Sequence, residues 1–280
     1  MYTPLIATPY SQNDTYIEVL PCEALCPYIK CIWGSKTRLT EDNVGLYCKR
    51  LIIPDTCFDI IIYINDDDLS CKIYGIDDTP YYSEKISQTI FAVRFYFWTI
   101  PFILQGEIGD FKNQCLDCEQ FFPKFKKYLN DCGFYELSFE QRKVEVEKYF
   151  IDRIDSSCFF PDLLNAIEFI LRKKGNLSVT SLAQQCVIST RTLERIFQSN
   201  LGVAPKEIFE LIRYQYLWRD VLTERTFNIH DEVYKLGFYD QPHLLNTFRK
   251  YHGLTMKEAI TLGQKDCRIF PRQVFEKNVL

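Results

Sequence analysis

Two segments decide how this chain folds: LSVTSLAQQCVISTRTLERIFQSNLG, from Leu177 to Gly202, and FNIHDEVYKLGFYDQPHLLNTFRKYHG, from Phe227 to Gly253. Each reads as a short apolar helix, a tight turn and a longer helix with polar residues outermost. In the first, Ser178 and Ser181 offer oxygens to cap a helix start, and Leu182, Ala183 and Cys186 are its apolar positions. Ala183 is small, as a close helix crossing requires. Ser189 can cap the next helix, where Leu193, Ile196, Phe197 and Leu201 form one buried stripe. Its opposite face carries Thr190, Arg191, Glu194, Arg195 and Gln198.

In the second segment Asn228 caps a helix carrying Ile229, Val233 and Leu236, which Gly237 breaks, with Phe238 as an anchor. Asp240 precedes a helix with Leu244, Phe248 and Tyr251 inward and Gln241, His243, Asn246 and Arg249 outward. A continuous helical pattern after Pro205 joins the two units. Outward Arg and Gln suit a major-groove helix, because Arg forks onto guanine and Gln onto adenine. One such face alone reads more readily as a solvated helix; its repetition argues otherwise. Two helix-turn-helix units on one rigid rod can address major-groove segments about 34 Å apart on one face of DNA.

The stretch resembles the C-terminal domain of the AraC/XylS family of transcription regulators. The likeness rests on Leu182-Ala183, Ser189, Arg191, Leu193, Arg195-Ile196-Phe197, Gly202, Pro205 and Arg213, then on Gly237-Phe238-Tyr239-Asp240-Gln241, His243, Phe248 and Gly253-Leu254-Thr255. It implies a seven-helix domain that binds promoter DNA and acts on transcription initiation, with RNA polymerase as an implied partner. Carried over by position, the base-facing residues are Arg191, Glu194 and Arg195 in the first unit, and Gln241, His243, Leu245 and Asn246 in the second. Thr190, Gln198 and Arg249 complete the expected DNA-binding set.

The departures are informative. Val187 stands where the turn often has Gly, so a left-handed backbone there is strained. Glu232 occupies a position that is usually Ile, and a carboxylate there needs a partner or a route to water. Val233 replaces a usual Ala, Met256 a common Pro, and Ala204 a capping Ser. They lead to the expectation that the second unit is the looser one.

At 280 residues the chain is long enough for two domains with their own cores. Up to Phe159 there are 16 Lys and Arg against 24 Asp and Glu, a net −8; from Phe160 onward there are 17 against 13, a net +4. The basic surplus therefore falls with the helix-turn-helix pair, where phosphate contact needs it. No opening stretch looks like a signal peptide and no apolar run approaches a membrane span, so a cytoplasmic protein without a membrane partner is expected. Of 12 cysteines, most read as small buried apolar residues. Cys115-Leu-Asp-Cys118 has the spacing of a redox or zinc pair. A structural zinc needs further ligands, and His230, His243 and His252, the only histidines, lie in the other half. No metal or cofactor is expected.

The first half reads as β-structure, with candidate strands Tyr16–Leu20, Ile29–Trp33, Leu46–Ile53, Phe58–Asn65, Cys71–Tyr74 and Thr89–Trp98 separated by turn signals. A sandwich or small barrel follows. It resembles the cupin-like sensor domain of some AraC-type regulators, through Leu51-Ile52-Ile53-Pro54-Asp55, Asp59 and Val93-Arg94-Phe95, although the usual Gly is replaced by Thr56. Strand alternation sets Arg94 with Ala92, Tyr96 and Trp98, and Asp59 with Ile61 and Tyr63. Asp59 and Arg94 are expected to pair inside the barrel. The sharper expectation is an effector pocket walled by Tyr63, Arg94, Tyr96 and Trp98. Ser138 and Gln141 form a capping-box pattern opening a helix with Phe139, Val146, Phe150 and Ile154 on one side. By analogy that stripe pairs two protomers in a homodimer; equally, it packs on its own barrel.

The expected architecture is α+β, a β-barrel or sandwich with trailing helices and then an all-α domain with two helix-turn-helix units joined by a long helix. The boundaries are 1–157 for the sensor and oligomerisation domain, 158–262 for the DNA-binding domain and 263–280 for a tail, with Asp155-Ser156-Ser157 as the linker. The function expected is sequence-specific binding of double-stranded promoter DNA, controlled by a small-molecule effector. The alternative keeps DNA binding but switches it by cysteine oxidation or a protein partner. An enzyme is not expected: residues 1–159 contain no histidine for a metal set, and no nucleophile elbow or phosphate loop is present.

Overall fold

In a computed structural model, the structure describes residues 2–5, 7–9, 16–36, 50–65, 68–83, 88–104, 108, 111–154, 160–224 and 227–265. The expected linker at 155–157, most of the tail, and the 46–49 part of the expected third strand lie outside them.

The β half contains a six-stranded antiparallel sheet ordered β1-β2-β7-β4-β5-β8 and a two-stranded sheet, β3-β6. The strands are β1 (Tyr16–Val19), β2 (Ile29–Ser35), β3 (Leu51–Ile52), β4 (Cys57–Ile64), β5 (Leu69–Tyr74), β6 (Tyr81–Tyr82), β7 (Thr89–Tyr96) and β8 (Cys115–Asp117). Period-2 alternation decides what each face of β4 meets. Phe58, Ile60, Ile62 and Ile64 are buried, while Asp59, Ile61 and Tyr63 on the other face are only partly so. The apolar side packs on helix α3 (Phe139–Arg153) through ring contacts Phe91–Phe139 at 5.2 Å and Phe95–Phe150 at 5.1 Å, and α2 (Phe125–Asp131) lies against β5. The stripe on α3 is thus spent inside its own chain, with Val146 and Phe150 fully buried. That removes it as a pairing surface between protomers. The capping box at Ser138 is present, Ser138 Oγ accepting from Gln141 N and Gln141 Oε1 from Ser138 N.

The strand expected to reach Trp98 stops at Tyr96. Phe97–Thr99 forms a turn of 3-10 helix that leads into α1 (Ile100–Ile103), where Pro101 cannot donate to a sheet ladder. Cys118 also departs from expectation. It is joined by a disulfide to Cys71 on β5, while Cys115 is free and exposed. The two residues of the Cys115–Cys118 pair face opposite environments: Cys118 is buried against the core, and Cys115 sits on an edge strand opposite Tyr74.

From Pro161 onward the described residues form seven helices: α4 (Pro161–Arg172), α5 (Val179–Gln185), α6 (Thr190–Leu201), α7 (Pro205–Thr223), α8 (Ile229–Leu236), α9 (Gln241–His252) and α10 (Met256–Lys265). No described helix is long and apolar enough to cross a membrane.

Candidate nucleic-acid interface and ligand cavity

The helix starts follow the capping residues read from the sequence. Ser178 Oγ accepts from Ser181 N at 3.1 Å, Ser189 Oγ from Thr192 N at 3.0 Å, Asn228 Oδ1 from His230 N at 2.9 Å and Asp240 Oδ1 from His243 N at 2.7 Å. Each fixes the entry angle of one helix in the two units α5–α6 and α8–α9. Their turns are built alike but with different residues. After α5, Val187 takes φ 57° and Ile188 N donates to Ala183 O; after α8, Gly237 takes φ 66° and Phe238 N donates to Val233 O. Both are left-handed helix ends that satisfy otherwise orphaned carbonyls.

The buried sides of α6 and α9 carry Leu193, Phe197, Leu201, Leu244 and Phe248, all at 0 % exposure. On the outer sides Thr190, Arg191, Glu194, Arg195, Gln198, His243, Asn246 and Arg249 are exposed, and Gln241 and Leu245 are half-buried. Among the described residues no ion pair engages Arg191, Glu194, Arg195 or Arg249. His243 is partly committed, since its Nδ1 accepts from Tyr239 N at 3.3 Å within the turn.

The connecting helix α7 holds both units. Tyr214, Leu217 and Trp218 are buried along it, and the Tyr214 hydroxyl meets His252 Nδ1 at the end of α9 at 2.8 Å. The His252 ring stacks on Phe248 at 4.6 Å. Burial among these rings depresses its pKa to about 3. Arg213 Nη2 donates to Gly175 O after α4, and its guanidinium lies 5.2 Å from the Phe238 ring in the second turn. Glu232, the unusual carboxylate, finds a partner. Lys235 Nζ reaches Glu232 and Asp220 at 3.0 Å each, and Glu224. These three carboxylates are close enough together to hold a metal ion, but the Lys235 ammonium already bridges all three, and Arg219 contacts Asp220 as well.

The side of the large sheet away from α2 and α3 faces a cavity of about 840 Å³, with β3 and β6 on its far wall. Arg94 crosses its floor. Its Nη1 donates to Asp59 Oδ2 at 3.1 Å and its Nη2 to Asp55 Oδ2, while Trp33 Nε1 donates to Asp59 Oδ1 at 2.9 Å. Asp59 and Arg94 pair as alternation requires, but Asp55 as a second partner was not readable, because it lies off any strand. The Tyr63 and Tyr74 hydroxyls meet at 2.7 Å on the wall. Of the four expected pocket residues, Tyr63 and Arg94 line the cavity. Tyr96 and Trp98 are not among its described lining residues; their rings stack on each other at 4.4 Å. Asp77, in the loop after β5, and Tyr81 and Tyr82 of β6 also line it, and none of them carries a strand signal in the sequence.

The cavity wall is continuous with contacts to the helices. Pro54, next to Asp55, accepts at its carbonyl from Gln215 Nε2 of α7 at 3.0 Å, and Gln215 Oε1 accepts from Leu5 N at 2.8 Å. Asp78, next to Asp77, pairs with Lys112 at 3.4 Å, and Lys112 pairs with Glu207 of α7 at 2.6 Å. Pro80 lies against Gly253, just past α9: a Cβ there would stand 2.9 Å from its ring.

The fold defines two capped helix-turn-helix units held on one connecting helix. Residues 182–260 match the family described as a helix-turn-helix domain, and residues 17–117 match one described only as a domain of unknown function. Among solved structures, the chain is similar to a Chromobacterium violaceum transcriptional regulator of the AraC-type DNA-binding-domain class. There the identity is 24 % and the TM-score 0.34, covering 37 % of this chain and 92 % of that one. It is similar also to ToxT from Vibrio cholerae O395 (15 % identity, TM-score 0.39, 77 % of this chain and 94 % of that one). No curated protein matches this chain.

Proposed function

We propose that the protein is a sequence-specific transcription regulator that reads promoter DNA with α6 and α9 and is controlled by a small molecule held in the cavity. The observation that carries the reading is the pair of exposed outer faces, Arg191, Glu194, Arg195 and Gln198 on one helix and His243, Asn246 and Arg249 on the other, tied to one buried rod. Leu245 and Gln241 flank the second face, and Thr190 opens the first. The division into 1–157, 158–262 and a tail from 263, and a cytoplasmic location, belong to the same proposal. Control follows from linkage: an effector acts only if it binds one arrangement better than another. The Pro54–Gln215 and Lys112–Glu207 contacts are where cavity occupancy would bias α7, and with it the spacing of the two units.

Selection from random duplexes, followed by footprinting of the full chain on the winning site, tests the reading. Two protected major-groove patches about one helical turn apart are expected; protein that enriches no sequence refutes it. A second reading, thiol control, is favoured by the Cys71–Cys118 disulfide, which pins β5 just before the loop to Asp77. Under it, reductant and Cys71→Ser would shift DNA affinity equally; if neither does so, it falls. A homodimer would need a surface other than the spent stripe, and Val144 and Ile151, each 48 % exposed on α3, are the apolar residues available there.

A further inference from the structure

We infer that the cavity selects a positively charged, amine-type effector with an apolar or aromatic body, and disfavours carboxylates. This rests on the reading of the cavity as the effector site. The described lining carries four carboxylates, Glu18, Asp55, Asp59 and Asp77, against three cationic side chains. Each of those cations is already engaged. Arg94 is held by two carboxylates, Lys30 Nζ lies 3.4 Å from Glu18, and the Arg50 guanidinium sits 4.1 Å over the Tyr16 ring. An anionic ligand drawn to Arg94 would have to displace Asp55 or Asp59 from a buried guanidinium, and a carboxylate stripped of its partner there is costly.

Asp77 is the opposite case. It has no cationic partner among the described residues, and receives only a hydrogen bond from Tyr81. Burial, then the charges of Asp55, Asp59 and Asp78, raise its carboxyl to about 7. The described lining keeps one more carboxylate than cations, and a bound ammonium beside Asp77 would favour its charged form. The remaining walls suit such a ligand. Trp33, Tyr63, Tyr74, Tyr81 and Tyr82 present aromatic surface, whose ring faces attract cations. A volume of about 840 Å³ leaves room for a substantial apolar body.

Calorimetric titration of the full chain with benzyltrimethylammonium, benzyl alcohol and phenylacetate tests this. The ammonium is expected to bind on the order of tenfold more tightly than either of the others. Asp77→Asn should lower its affinity several-fold and leave benzyl alcohol unchanged, with the melting temperature confirming that the variant folds. Ile61→Trp, which fills the cavity from β4, should abolish binding of every probe. Phenylacetate binding as tightly as the ammonium, with binding lost in Ile61→Trp, overturns the charge preference but keeps the cavity as the effector site. Probes that ignore Ile61→Trp, or do not bind, overturn both.

Discussion

At Val187 a β-branched residue sits at φ 57° with 89 % of its surface exposed. The left-handed conformation costs such a residue about 1–2 kcal/mol, and the exposed side chain recovers little of it by packing. Val187→Gly is therefore expected to raise stability by about 0.5–1 kcal/mol after the extra entropy of a glycine in the unfolded chain is allowed for. Chemical denaturation measures it, and a loss of stability would show that Val187 makes a contact its exposure conceals. Strain at this turn belongs to the first unit, and Glu232 in the second is paired with Lys235. One of the grounds for expecting a looser second unit thus falls away.

His252 gives a pH-dependent effect of definite sign. Its folded pKa of about 3 lies below the unfolded value near 6.5, so between them the unfolded chain binds the extra proton. Its neutral ring contributes stability in full above pH 6.5, and that contribution is lost as pH falls toward 3. The groups facing it, Tyr214, Trp218 and Phe248, carry no charge near neutrality to offset this. Against His252→Gln, the native chain should lose about 1 kcal/mol per pH unit below 6.5. Parallel stability–pH curves for the two would contradict it.

Among elements, local chemistry was readable and long-range pairing was not. The four caps at Ser178, Ser189, Asn228 and Asp240 lie within three residues of the N–H groups they satisfy, so sequence alone locates them. Asp59 and Arg94 are partners in adjacent strands, and alternation put each on the polar face of its strand. By contrast the Cys71–Cys118 bond spans a separation of 47 residues, and no spacing rule selects it over Cys115. The cavity's far wall was missed because Tyr81–Tyr82 is a two-residue strand, too short to show a period. Gln215 illustrates the same limit: within α7 it reads as an ordinary polar position, yet it is 2 % exposed and clamps Leu5 and Pro54. Gln215→Leu leaves that buried N–H and carbonyl unpaired, and should cost about 1–3 kcal/mol in denaturation. It should also weaken any effect of a cavity ligand on DNA affinity. Retention of both would remove this contact from the coupling.

On the scale of the whole molecule, the acidic half carries the cavity and the basic half the two helices proposed to read DNA, with α7 touching both. The basic surplus of the second half is small, so phosphate contact alone gives modest affinity and base contacts must supply much of the selectivity. The most direct test is the affinity of Arg195→Ala and Asn246→Ala for a selected duplex, measured by gel shift at fixed moderate salt. Each is expected to lose about 1–3 kcal/mol, on the order of tenfold or more, and only on the selected sequence. Unchanged binding by both variants would contradict the assignment of α6 and α9 as the reading helices.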